Sequence, residues 1–288
     1  MSDTLTAIEP IAEGEELFNY CLWPYQPVAS TRGKFHPSAL LTHSFEFMGC
    51  EERGSALMEH LRSGIGRNRT VWGLKQIGGE ITWEFYFYDY QRRQRERSIT
   101  KVLAAIEPVY SCDIEPCEDL NYFMFSLDFP LHKPARSLEE IHVYIGNVGS
   151  VVSSGMSYSQ TRKGRTMENF YFFFEARKHM DQVVGKISSS AHVTVPDFPT
   201  SAIIWPELAE CHTICVANKK ANDCIYFSGV NVNQLLFFME RLRYPEALMG
   251  FIRKHHSRLD HLLFDVGFDY TYDREGLHLL KSGYYGVF

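Results

Sequence analysis

The amino-acid sequence predicts an α+β protein: a closed ten-stranded antiparallel β-barrel with helices on its outside. Three observations lead there. Segments of alternating residues come in five pairs, most of them joined by short turns containing Gly. Helix-patterned stretches separate most of the pairs. The strands sort their residues onto an oily face and a face of phenols, amides and charges.

Taken in order, residues 1–40 are irregular, rich in Pro, Gly and aromatics, and read as a packed arm. Phe45 to Ser63 has a helical pattern, with Gly64 and Gly66 as stop signals. "RTVWGLKQ-IGG-EITWEFYFYDY" is the first hairpin, turning at Gly78-Gly79. Ile99 to Val109 is helical. "NYFMFSLDF" and "EEIHVYIGN" form the second pair across a longer loop, and "SGMSYSQT-RKG-RTMENFYFFFE" the third, turning at Lys163-Gly164. A helix over His179–Ile187 leads to the fourth pair, "HTICVAN-KKAN-DCIYFSGV". Val232 to Asp265 reads as two helices broken before Pro245. "GFDYTYD-REG-LHLLKSGYYGVF" is the fifth pair. No long linker interrupts the pattern, so a single domain is expected over residues 1–288.

Ten antiparallel strands are many for an open sheet, and closure removes both edges. With helices outside, the oily face turns outward to them. The phenol-and-charge face then lines a wide, partly wet lumen of the kind that binds ligands. Glu84, Tyr86 and Tyr88 oppose Trp83, Phe85 and Phe87. Tyr122, Met124, Ser126 and Asp128 oppose Phe123, Phe125, Leu127 and Phe129. Asn169, Tyr171 and Phe173 oppose Phe170, Phe172 and Phe174, while Tyr226 and Ser228 oppose Ile225 and Phe227.

Composition narrows the function. The net charge of −6 argues against nucleic acid as the main partner. No run of about 20 apolar residues offers a membrane span. The acidic start "MSDTLTAIEPIAEGEE" lacks a signal pattern, so a cytoplasmic monomer or weak homo-oligomer is expected. Seven scattered cysteines read as reduced thiols, and Cys112 with Cys117 lacks a second pair for zinc. His256 and Asp260 have i, i+4 spacing, but read as the polar face of a helix. The sequon Asn68-Arg69-Thr70 has no use in the cytoplasm. No Asp-Asp-x-x-Asp cluster, Gly-rich phosphate loop, nucleophile elbow or His-Glu-x-x-His motif is present.

The inward face carries the chemistry. Lys75, Arg165 and Lys281 share the lumen parity, and three cations in one low-dielectric chamber repel unless an anion joins them. A diphosphate fits, with Asn169 donating an amide N–H. The plainer reading makes these ordinary strand-end residues at a wet rim. Tyr86, Tyr88, Tyr144, Tyr171, Tyr226 and Tyr285 can stabilise an allylic carbocation, each worth up to about 2 kcal/mol when desolvated; otherwise they are simply good strand formers. Glu84 can hold the N–H or O–H of an aromatic acceptor and take a proton late in the reaction. Its alternative is a salt bridge to a lumen Lys or Arg.

The order of hairpins and helices resembles the aromatic prenyltransferases with the ABBA architecture, or PT-barrel, over Phe45 to Phe288. "TVWGLKQIGGEITWEFYF" is similar to that family's first hairpin, and "ITWEFYF" to its indole-prenylating branch, which implies acceptor binding by Glu84. "RTMENFYFF" resembles the family strand basic-x-x-x-Asn-x-Tyr-Phe, implying diphosphate contacts for Arg165 and Asn169. "KSGYYG" is similar to Lys-x-Gly-x-Tyr, implying the same for Lys281 and a lumen place for Tyr285. The sequence departs where the family carries a Lys on "EIHVYIGN", with His142 standing closest, and where it carries an Arg on "NDCIYFSG", here Cys224.

The resemblance implies prenyl transfer from an allylic diphosphate to an electron-rich indole or phenol, as in secondary metabolism. No cofactor is required, and Mg2+ is admitted. Two alternatives remain: a non-catalytic barrel for a small aromatic or lipid-like ligand, and a cyclase of the same fold acting on a non-phosphorylated substrate.

Overall fold

A computed structural model describes residues 8–92, 94–147 and 153–288. Its ten main strands are β1 (Thr70–Ile77), β2 (Glu80–Tyr88), β3 (Met124–Phe129), β4 (Ile141–Asn147), β5 (Ser153–Thr161), β6 (Gly164–Glu175), β7 (Thr213–Lys219), β8 (Asp223–Val230), β9 (Phe264–Asp273) and β10 (Gly276–Val287). Each pairs antiparallel with the next, and β10 returns to pair with β1, closing the barrel. The predicted fold class is therefore what the structure shows.

Seven helices are described: α1 (Ser38–Met48), α2 (Glu51–Ile65), α3 (Ile99–Ile106), α4 (Met180–Ser188), α5 (Val232–Arg241), α6 (Glu246–Lys254) and α7 (His256–Leu259). Local chemistry sets several of the boundaries. Ser98 caps α3 by accepting the Lys101 N–H, and Asn231 with Gln234 forms a reciprocal capping box on α5. Gly78 and Gly79 both have positive φ, which the tight turn from β1 to β2 requires.

Two apolar clusters separate inside from outside. The larger lies between wall and helices, where Trp72, Leu74, Trp83, Phe85, Phe125 and Leu127 meet Phe45, Leu61, Val102, Ile187, Phe238 and Ile252. The smaller lines the lumen: Val71, Tyr86, Tyr88, Met124, Tyr144, Tyr285 and Val287. No helix among the described residues is long and apolar enough to cross a membrane.

Several expected boundaries shift. The single helix expected over Phe45–Ser63 is two, because Gly49 takes a left-handed φ and ends α1. Gly64 does not stop α2; it lies within it, where an added methyl would strike Ala105 of α3. The helical reading of Val232–Asp265 ends at Leu259, so Asp265 belongs to β9. Tyr122 and Phe123 precede β3, which frees them from its alternation: Tyr122 joins the outer core and Phe123 the lumen cluster. The described part of the arm carries a two-residue ladder, Leu17–Phe18 against Pro24–Tyr25. Residues 1–7 of the predicted arm lie outside the described residues.

Candidate functional site

The lumen has an aromatic half and a charged half. In the aromatic half, Tyr86 lies 5.9 Å from Tyr285 and 6.4 Å from Tyr144 between ring centroids, Tyr144 lies 5.8 Å from Tyr171, and Tyr226 lies 6.2 Å from Tyr285. With Tyr88, all six predicted tyrosines thus share one chamber wall. Two glycines make room for the rings. A methyl on Gly73 would sit 2.5 Å from the Tyr285 ring, and one on Gly267 would overlap Tyr226. Burial, with added repulsion from Glu84 and other lumen groups, pushes the Tyr86 and Tyr285 hydroxyls well above the ordinary phenol range.

This half is not the wide, wet space that the alternation predicts. The arm closes it: Phe18, Tyr20 and Leu22 pack against the lumen cluster. The Tyr20 ring stands 5.3 Å from both Tyr86 and Tyr285 and 6.2 Å from Tyr88, edge-on to each. Its backbone N–H donates to Asp265 Oδ2 at 3.2 Å.

In the charged half, Lys75 Nζ lies 2.9 Å from Glu84 Oε2 and also pairs with Asp128. Glu84 Oε1 accepts the Ser126 hydroxyl at 2.6 Å, and Ser126 Oγ lies 3.3 Å from the Tyr144 hydroxyl. The predicted alternative for Glu84, a salt bridge to a lumen lysine, is therefore present. Burial pushes the Glu84 carboxyl up, but Lys75, His142 and Lys281 together hold it below the usual carboxylate range. Burial pushes the Lys75 ammonium down, and Glu84 and Asp128 more than restore it.

His142 lies among three carboxylates: Nδ1 is 3.0 Å from Glu168, and Nε2 is 3.5 Å from both Asp128 and Glu140. Burial lowers its pKa, but hydrogen bonds to Asp128 and Glu168 raise it to about 10. The imidazole is thus a cation at neutral pH. Ligand atoms of Glu140, His142 and Glu168 lie within 4.8 Å of one another, as do those of Glu84, Asp128 and His142. Either set could hold a divalent ion such as Mg2+ if the imidazole gave up its proton. In the second set the Lys75 ammonium already pairs with both carboxylates and offsets one of their two charges.

Lys281 projects into the same half from β10, opposite Asp269 of β9. Asp269 is occupied, since Lys219 donates to both its oxygens at 2.8 Å. Among the described residues Lys281 has no hydrogen-bond or ion-pair partner. Burial, then repulsion from Lys75 and Lys219, lowers its pKa. Asn169 faces inward opposite Lys219 and donates to the Tyr171 hydroxyl at 2.9 Å.

Arg165 is a correction. A bulge between Met167 and Asn169 shifts the β5–β6 register and reverses the facing of residues before it. Asn169 points in, while Arg165 points out, with its Nε on Gln160 at 3.1 Å and a guanidinium nitrogen 3.6 Å from Asp119. The same bulge turns Glu168 toward His142. Sequence reasoning also missed Lys219, Asp269, Asp265 and Tyr20. Lys219 shares its parity with Cys215 and Ala217, and "FDVGFD" alternates Asp265, Gly267 and Asp269, so both were findable; nothing in the arm marks Tyr20.

The remaining sequence candidates have structural roles. His256 Nε2 is 2.7 Å from Asn233 Oδ1, and Asp260 pairs with Lys34. All seven cysteines are free thiols. No protein-family model matches the chain, and no curated protein matches it in sequence.

Proposed function

We propose that this chain transfers a prenyl group from an allylic diphosphate to an electron-rich aromatic acceptor within the lumen. The observation that supports this most is the position of Lys281. Its ammonium stands near Lys75 and Lys219 without a carboxylate of its own, beside a wall of tyrosines. A buried cation repelled by two others gains most from a multiply charged anion.

In this reading Lys281 and Lys219 hold the diphosphate, with Lys75 and protonated His142 adding field and Asn169 an N–H. The allylic C–O bond breaks and its electron pair leaves on the diphosphate. Tyr144, Tyr171, Tyr226 and Tyr285 shield the resulting cation from water. An aromatic carbon attacks it, and the ring then loses a proton. Glu84, hydrogen-bonded on both oxygens but with a second lone pair on each, orients the acceptor N–H or O–H.

The test is incubation with dimethylallyl or geranyl diphosphate and a panel of indoles and phenols. A mass gain of one prenyl group on an acceptor, with release of pyrophosphate, is the expected result. No product with any pairing sinks the proposal.

The second reading, a non-catalytic barrel that binds a small aromatic or lipid-like molecule, is favoured by Tyr20. Its ring fills the space where an acceptor would stack, and the five carboxylates near the charged mouth exceed its four cationic groups. Under that reading aromatic ligands raise the melting temperature and pyrophosphate does not.

A further inference from the structure

The tip of the arm is built as a unit. Asn19 Oδ1 accepts the N–H groups of Cys21 and Trp23, each at 3.0 Å, and the Leu22 N–H reaches the Asn19 carbonyl at 2.9 Å. Leu22 holds φ +56, a left-handed conformation costly for a γ-branched side chain. The turn therefore carries its own hydrogen bonds and its own strain. Few polar contacts join this tip to the barrel. Tyr20 N–H donates to Asp265, and the Tyr90 hydroxyl donates to the Cys21 carbonyl at 2.8 Å. Trp23, next to the tip, is 60% exposed. Such a turn can leave as a body without unfolding.

What it covers is a finished recess. Three tyrosine edges surround one ring, and Asp265, only 5% exposed, lies beside it. Among the described residues Asp265 Oδ1 has no hydrogen-bond partner of good geometry, Ser228 and the Gly229 N–H lying only close enough to favour its charge, although a buried carboxyl oxygen ordinarily has one.

We propose that the Phe18–Leu22 turn is a displaceable plug, and that the place of the Tyr20 ring is a binding subsite for a phenol- or indole-sized aromatic whose N–H or O–H is received by Asp265. The proposal rests on the reading that the lumen takes an aromatic molecule, and it adds where that molecule sits and what must move. The carboxylate explains the need for a donor, the tyrosine edges the need for a ring, and the resident Tyr20 the size. Glu84, already holding Lys75 and Ser126, is then free to act on the reacting end.

The test is binding without any prenyl diphosphate, so its outcome is separate from that of the transfer assay. Phenol and toluene are titrated against the whole chain by calorimetry, and amide exchange over residues 17–25 is followed by mass spectrometry. Phenol is expected to bind more tightly than toluene and to speed exchange in the turn. Tyr90→Phe removes one tether and is expected to tighten phenol binding about fivefold. Asp265→Leu, which leaves no acceptor, is expected to erase the preference for phenol. Tyr20→Ala is expected to bind phenol more tightly still, because the competing ring is gone.

Slower or unchanged exchange with phenol bound overturns the proposal, as does equal affinity for toluene. So does no binding by the wild type, or a Tyr90→Phe variant no tighter than it. Should Tyr20→Ala fail to fold, the Tyr90→Phe result decides.

Discussion

Lys75 and Glu84 meet across the β1–β2 ladder at 2.9 Å, with both side chains almost wholly withdrawn from water. The contact is unequal in its consequences, because Lys75 also holds Asp128 while Glu84 also holds Ser126.

Removing the cation is therefore expected to hurt more than removing the anion. Lys75→Met strips Glu84 and Asp128 of their shared ammonium, leaving His142, 3.5 Å from Asp128, as the nearest cation, and should cost about 3–5 kcal/mol. Glu84→Gln leaves Lys75 on Asp128 and should cost about 1–3 kcal/mol. Urea unfolding of both variants checks the order; equal losses would mean that the two carboxylates do not share the charge.

Lys281 gives a test by contrast. Lys281→Met is expected to abolish the rise in melting temperature produced by pyrophosphate, and to stabilise the empty protein by about 1 kcal/mol as a repelled charge disappears. Arg165→Ala, whose side chain faces away from the lumen, should leave the pyrophosphate effect intact. Full pyrophosphate stabilisation of the methionine variant would remove the anion site from this lysine.

Asp265 and His142 set a pH dependence. Burial raises the Asp265 carboxyl to about 7, offset only in part by Ser228 and the Tyr20 and Gly229 N–H groups. The unfolded chain loses this proton near 3.8 and the folded chain near 7, so this group lowers stability as pH climbs through that interval. Asp265→Asn should remove that slope, making the variant progressively more stable relative to wild type from pH 4 to 7. His142, raised from 6.5 to about 10, contributes stability in full below pH 6.5, which is lost as pH rises through about 10. His142→Gln should flatten that alkaline limb. Denaturant midpoints across pH 4–10 test both.

The recesses under the rings predict a steric effect. Gly73→Ala places a methyl 2.5 Å from Tyr285 and should cost about 1–3 kcal/mol while shifting the aromatic circular dichroism. An unchanged aromatic signal would show that Tyr285 does not lie over Gly73.

Most of the wall was legible because a two-residue period leaves its mark on each side chain: Trp83, Phe85 and Phe87 pack outward and Glu84, Tyr86 and Tyr88 inward, as alternation requires. What defeated alternation was the departure from it. The bulge at Glu168 adds one residue and turns Arg165 away, and no composition signal marks it. Lys219 falls in the turn by pattern because its strand runs one residue past "VAN". Asp265 was lost to a helical pattern that continued across the α7–β9 boundary. Tyr20 is of another kind: its position follows from where a segment without regular structure docks, and pairwise long-range packing of that sort has no period to read.

The barrel closes where Gly276–Val287 zips onto Thr70–Ile77. A ribosome must add some two hundred residues between those partners. At ordinary synthesis rates the first strand therefore waits roughly 10–40 s with an unpaired edge, its Val71, Trp72 and Leu74 still short of their final cover. That delay is long against hairpin formation, so the nascent chain is a natural client for chaperones, and overproduction without them should divert it into inclusion bodies.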